Sequence, residues 1–227
     1  MQAIIFDFDG TLVDASEVIC ASFNAVLRDH GLSGQPPSWI KARIGRPLVE
    51  MFGQVMLDTT PEGLLDLVED YRRVFLPLSV PMSAPMPGAG EALELLAPHV
   101  KMAIATSRKA DGADHILRGL GLRDHFELIV GIDEVHRVKP HPEPVLRAIE
   151  QLHVPASAAA MIGDTPDDMI AGRAAGLLAI GVTTGAHDGS ALTRAGAHRV
   201  ASSLLEVVSI VLPKGLHARK DISDPIR

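Results

Sequence analysis

Only one cysteine, Cys20, occurs in the chain, so no intrachain disulfide can form and nothing points to an oxidising compartment. Clusters of basic residues are missing and the formal net charge is −7, which argues against nucleic acid or an anionic membrane as a partner. No apolar run approaches the roughly 18–20 residues of a membrane span. The first residues also lack the basic start and apolar stretch of a secretory leader, so a cytoplasmic protein is the expectation. Apolar residues, by contrast, are abundant: 47% of 227 residues, ample for one domain or for one core domain with an insertion. An acidic chain still binds phosphate where the local charge of a site allows it.

Ala3–Phe8 is an apolar run of strand length that ends in polar residues, and similar segments recur at Lys101–Thr106, Leu128–Val130, Ala159–Gly163 and Leu178–Val182. Such runs suit parallel strands covered on both faces. Helical stretches separate them at Gly90–Ala97, Ala110–Leu120, Pro142–Leu152 and Asp167–Ala175. The alternation predicts an α/β fold with a Rossmann-like, doubly wound parallel sheet. No internal repeat is evident.

Residues 15–85 break the alternation. Val18, Ile19, Phe23, Val26 and Leu27 mark one face of a helix that stops at His30-Gly31, and Pro61–Phe75 gives another, with Leu64, Leu65, Leu67, Val68, Tyr71 and Val74 available for its buried side. Pro77, Pro81, Pro85 and Pro87 read as a stiff return linker. The expected organisation is a catalytic core from residues 1–14 and 86–212, an inserted all-helical cap over 15–85, and a polar C-terminal tail, 213–227, expected to be disordered.

Ligands of open parallel sheets bind outside the carboxyl ends of the strands, so the polar residues are best sorted by strand end. Asp7 and Asp9, in Asp7-Phe8-Asp9-Gly10-Thr11, end the first strand, and Thr106-Ser107 ends the second. Lys139 follows the third, and Gly163-Asp164-Thr165-Pro166-Asp167-Asp168 leaves the fourth. Each motif alone has a plainer reading: Thr106-Ser107 as a helix N-cap, Lys139 as a solvated surface residue, Gly163-Asp164 as a turn. Together they converge on one edge. Paired carboxylates resist ionising side by side unless a cation compensates them, and a hard divalent ion such as Mg²⁺ does so with oxygen ligands.

The residue types suggest phosphoryl transfer. Asp7 is the candidate nucleophile, Asp9 the candidate acid and base. Gly10, Thr106, Ser107 and Lys139 form the expected phosphate-binding set, with Thr106 and Lys139 also steadying the chemistry. Gly10 in addition lets the backbone leave the strand in a tight turn. Asp164 completes a carboxylate set for the metal, and Asp168, one helical turn further, faces the same way. Arg46, in Gly45-Arg46-Pro47, is a candidate for a substrate carboxylate or second phosphate, and Arg108 and Lys109 are further candidates. His141 reads as a loop residue beside a proline.

These motifs resemble those of the haloacid dehalogenase-like hydrolase superfamily, in a phosphatase branch similar to the phosphoglycolate phosphatases. DFDGTLVD looks like its first motif, Thr106 the second, Lys139 the third and GDTPDD the fourth, over roughly residues 1–210. The resemblance implies Mg²⁺ dependence, an aspartyl-phosphate intermediate, and a metal bound by Asp7, Asp164 and the backbone carbonyl of Asp9. A small phosphorylated metabolite is the implied substrate, phosphoglycolate and pyrophosphate among the candidates. Asp9 is the acid that halide-removing relatives lack, so dehalogenation is disfavoured. Sugar phosphomutases share all four motifs and stay open as an alternative. Phosphonoacetaldehyde hydrolases use a cap lysine, and the surroundings of Lys41, the sole lysine of residues 15–85, do not match. Two non-enzymatic readings are weaker. A receiver domain lacks the insertion and the last acid set, and a degenerate binding protein should have lost an acid.

Overall fold

The structure is a computed structural model that describes residues 1–212; the tail expected to be disordered lies outside the described residues. Strand β1 (Ala3–Phe6) sits mid-sheet, paired in parallel with β4 (Lys101–Ala105) on one side and β6 (Ala159–Gly163) on the other. Beyond these lie β5 (Leu128–Val130), β7 (Leu178–Val182) and β8 (Arg199–Ala201), giving a six-stranded parallel sheet of order β5-β4-β1-β6-β7-β8. Strand β8 carries no strong apolar run in sequence and pairs only through its neighbour β7. Side chains alternate across the sheet with a period of two. Ile4, Phe6, Ile104 and Ile162 enter one core layer, whereas Ala3, Ile5, Ala103, Ala105 and Met161 enter the other. Burial on both faces explains why these strands read as unbroken apolar runs.

Between the two halves of a short antiparallel ribbon, β2 (Val13–Asp14) and β3 (Ala84–Pro85), run four helices: α1 (Ser16–Asp29), α2 (Pro37–Lys41), α3 (Leu48–Gly53) and α4 (Pro61–Ser79). Asp14 starts α1 by accepting the Ser16 N–H at 2.9 Å, and Thr60 caps α4 by accepting from Gly63 at 3.2 Å. The buried face of α1 holds Val18, Ile19, Phe23, Val26 and Leu27. Phe23 stacks on Phe52 of α3 with centroids 4.5 Å apart, and Tyr71 stacks on Phe75 within α4.

Helix α4 corrects one expectation. Pro77 is inside the helix, not in the return linker. Pro77 forfeits the N–H that would donate to the Arg73 carbonyl, a local cost two residues before the helix ends, where the Leu76 carbonyl accepts from Ser79 Oγ at 2.8 Å. The first strand likewise ends at Phe6, two residues early, although Asp7 N–H still donates to Ile162 at 2.8 Å.

The remaining helices, α5 (Ala89–Leu96), α6 (Ala110–Gly119), α7 (Glu143–Gln151), α8 (Pro166–Ala174), α9 (Gly189–Arg194) and α10 (Leu204–Val211), connect and cover the strands. No helix among the described residues is long and apolar enough to cross a membrane. Because Phe23 joins α1 to α3, Phe23→Ala should lose about 3–5 kcal/mol of unfolding free energy in urea titrations. A loss under about 1 kcal/mol would mean that the aromatic stack does not hold these helices.

Candidate active site

Sheet register brings the polar residues together. Phe6 lies opposite Ile104 and Ile162, so the residues that follow all three strands emerge side by side at the carboxyl edge. There Lys139 Nζ donates to Asp7 Oδ1 and to Asp168 Oδ1, both at 2.6 Å, across 132 and 29 residues of chain. All three side chains are buried. Burial by itself would lower the lysine pKa, but the Asp168 and Asp7 charges and their hydrogen bonds outweigh it, so the ammonium form is held.

Asp168 is fully committed. Its Oδ2 accepts both the Thr165 N–H at 3.0 Å and the Thr165 hydroxyl at 2.6 Å, a capping box at the start of α8, while Oδ1 takes Lys139. Asp168 therefore orients Lys139, and both of its oxygens accept hydrogen bonds. Asp164 accepts from Thr11 Oγ1 at 2.8 Å and is wedged between Gly10 and Gly185. Gly10 has φ 84°, and a Cβ there would stand 2.6 Å from Asp164 Oδ2. At Gly185 a Cβ would run into the same carboxylate.

Asp7, Asp164 and Asp168 each offer an oxygen within 4.8 Å of the others. Three buried carboxylates thus face one ammonium, and the donors are all hard oxygens. Burial first, then the Asp168 charge, pushes Asp7 up to about 7 against the pull of Lys139. Burial and the Asp7 and Asp168 charges also raise Asp164. Such a set fits a divalent cation of the Mg²⁺ kind, with Asp7 and Asp164 as the side chains placed to hold it.

Thr106 is buried at the end of β4, where its Oγ1 accepts the Arg108 N–H at 3.1 Å and its own hydroxyl hydrogen remains to be given. The Ser107 N–H has no acceptor among the described residues. Gly10 departs from its expected phosphate-binding role: its N–H donates to Val13 at 2.9 Å and its carbonyl accepts from Thr184 Oγ1 at 2.7 Å. Both polar groups are used up in shaping the turn. His141 lies off the site, its Nδ1 accepting the Glu143 N–H at 3.1 Å.

Asp9 is held by Arg108 through two bonds, Nη2 to Oδ1 at 2.7 Å and Nε to Oδ2 at 3.0 Å. Sequence reasoning had Arg108 only as a possible substrate contact. The guanidinium lies near Phe8 and packs over the Phe75 ring of α4, 4.6 Å from its centroid, linking the acid to the helical layer. Thr184 and Gly185 were not singled out at all, yet they follow β7 at the same edge, and sorting the fifth strand end would have found them. Arg46 is exposed and lines a chamber of about 70 Å³ with Asp9, Met51, Tyr71, Ser107 and Arg108. Lys41, set aside from sequence, is on the wall of the neighbouring cavity of about 260 Å³ that holds Asp9, Gly10 and Asp164.

The haloacid dehalogenase-like hydrolase family profile matches residues 4–182. The chain belongs to that family, in its phosphatase branch. It is 37% identical over 209 residues to a protein of Dickeya dadantii named "Probable phosphatase IndB", covering 90% of this chain and 91% of that one. A phosphoglycolate phosphatase of Neisseria meningitidis is 30% identical over 223 residues, 94% of this chain and 95% of its own. A crystallised hydrolase from Pseudomonas syringae superposes with a TM-score of 0.80 at 30% identity, covering 93% of this chain and 98% of that one.

The raised Asp7 carboxyl makes the site sensitive to pH. In chelator, the folded protein binds this proton more tightly than the unfolded chain, from the ordinary 3.8 up to about 7. That stabilisation is full below pH ~4 and is lost as pH rises through about 7. Thermal melts in chelator should therefore show a fall in Tm from pH 5 to pH 8, and Asp7→Asn should flatten it. Equal slopes for the two proteins would show that Asp7 is not the strained acid. Mg²⁺ should raise the wild-type Tm more at pH 8 than at pH 5, and this gain should vanish in Asp164→Asn.

Proposed function

We propose that this phosphatase hydrolyses esters of small phosphorylated metabolites through a phospho-aspartate on Asp7. The observation that carries the reading is the buried set Asp7–Lys139–Asp168 with Asp164 beside it, at the carboxyl edge of a parallel sheet. A nucleophilic carboxylate must be ionised yet dry, and the paired ammonium supports both conditions. In the first half-reaction an Asp7 oxygen bonds to phosphorus as the bond to the leaving alcohol oxygen breaks. Asp9 gives that oxygen its proton. In the second, Asp9 takes a proton from water as the water oxygen bonds to phosphorus, and the bond to Asp7 breaks to release orthophosphate. Thr106 and the Ser107 N–H bind the non-bridging oxygens, with Lys139 between phosphate and nucleophile. A divalent ion, Mg²⁺ by the chemistry of its ligands, supplies further neutralisation of phosphate charge when held by Asp7 and Asp164.

In this reading residues 15–85 serve as a cap over the site. The pair Arg108–Asp9 opens for the acid step, because a carboxylate held by two guanidinium N–H groups has no proton to give. Helix α4, whose Phe75 packs on Arg108, couples that opening to the helical layer. Arg46 serves as an accessory contact for substrate charge. Phosphoglycolate, the substrate in the name of the Neisseria relative, is one candidate.

Phosphate release from a panel of esters, with Mg²⁺ and with chelator, tests the proposal. Asp7→Asn should lower kcat about 10³-fold or more while the melting curve keeps its cooperativity. Lys139→Ala should cost about 10²-fold or more, and Asp9→Asn should slow both formation and breakdown of the phospho-enzyme. Near-wild-type turnover by Asp7→Asn would overturn the assignment.

A further inference from the structure

Beyond the 70 Å³ chamber lies a separate cavity of about 230 Å³ between the helical layer and the segment that follows β4. Its apolar walls include Leu48, Val49, Leu65, Val68 and Phe75 from the helices and Ile132 from the core, with Arg72, paired to Asp111, and Lys109 also on the lining. The two spaces share Leu48, Tyr71, Ser107 and Arg108. The smaller one in turn shares Asp9, Ile19 and Ile44 with the cavity beside the carboxylates. The three spaces thus adjoin one another in order from the acids, past Asp9, to the apolar one.

We infer that the alcohol portion of the substrate is apolar and occupies this cavity. The inference rests on the proposed phosphatase chemistry, which fixes the direction. Phosphorus sits at Asp7, the leaving oxygen faces Asp9, and the rest of the alcohol must extend away from the sheet edge. Asp9 borders the small chamber as well as the cavity beside Asp164; in this placement the next atoms of the alcohol enter the chamber, and anything longer reaches the apolar walls. A two-carbon acid would end in the chamber and leave those walls against water. Leu65, on the wall, is 58% exposed without such an occupant. Arg108, which borders both spaces, is paired with Asp9 and lies over the Phe75 ring, so its charge is not bare where the two spaces adjoin. Ligand sites of this kind combine apolar walls with a few polar groups, here Ser107 and Arg108 on the side shared with the chamber and Arg72, Lys109 and Asp111 elsewhere on the lining.

A series of n-alkyl phosphates from ethyl to hexyl tests the inference, because chain length changes burial while the basicity of the leaving alcohol stays nearly constant. kcat/KM should rise up to about fourfold per added methylene until the cavity is filled. Val68→Trp, which fills the space, should reduce the hexyl-to-ethyl ratio of kcat/KM at least tenfold in a variant whose cooperative melt shows that it is folded. Release from ethyl phosphate or phosphoglycolate with a flat or falling series would overturn the apolar-substrate inference and leave the phosphatase reading standing. A rising series unaffected by Val68→Trp would overturn the placement in this cavity. Absence of release from every ester would instead sink the proposed function.

Discussion

The buried ammonium of Lys139 between Asp7 and Asp168 is the constraint on which the rest of the site depends. Isolated charges are costly inside a protein, and three carboxylates without a cation would not stay ionised there. One lysine compensates part of that charge. It fixes Asp7 by a bond from the loop beyond β5, and Asp168 in turn fixes the lysine from the first turn of α8. The sheet order makes the arrangement possible, because β1 stands between β4 and β6 and its carboxyl end is reached from both sides. The charge left over is what suits the site to a divalent cation.

Two parts of the site differ in how they are held. Asp7, Asp164, Asp168 and Lys139 are locked by short bonds to one another, to Thr11 and to Thr165, with Gly10 and Gly185 closing against Asp164. Any side chain at those glycines would displace the carboxylate. Asp9 belongs to a second network, through Arg108 to Phe75 and so to α4. Asp7 is therefore set by the sheet, whereas Asp9 is tied to the helices. Such a division lets the carboxylate–lysine set stay rigid while Asp9 responds to what lies between the two layers.

The parallel sheet was legible because strands covered on both faces need near-continuous apolar residues, and Ala3–Phe6, 102–105 and Ala159–Gly163 carry them. Strand β8 was not, since Arg199-Val200-Ala201 is held at the sheet edge by β7 and not by its own composition. Pro77 misled because a single proline near the end of a long helix costs one intrahelical bond and a local distortion, which the rest of α4 outweighs.

What the sequence by itself determined is the chemistry at the strand ends: the acids, the hydroxyl and the lysine are functional group types, and their order along a βα chain already assigns them to one edge. Only the tertiary structure decided which acid is free and which is engaged. Asp168 proved to be a partner of Lys139 and Thr165, Gly10 a turn former with both backbone groups spent, and Arg108 the keeper of Asp9. The apolar cavity beyond Arg108 is a tertiary property in the same sense, built by α3, α4 and Ile132. The physical reason is common to all of these. A residue type fixes which bonds a group is able to make, but a hydrogen bond or a cavity wall needs a second group brought within a few ångströms, and across a hundred residues only the folded chain does that.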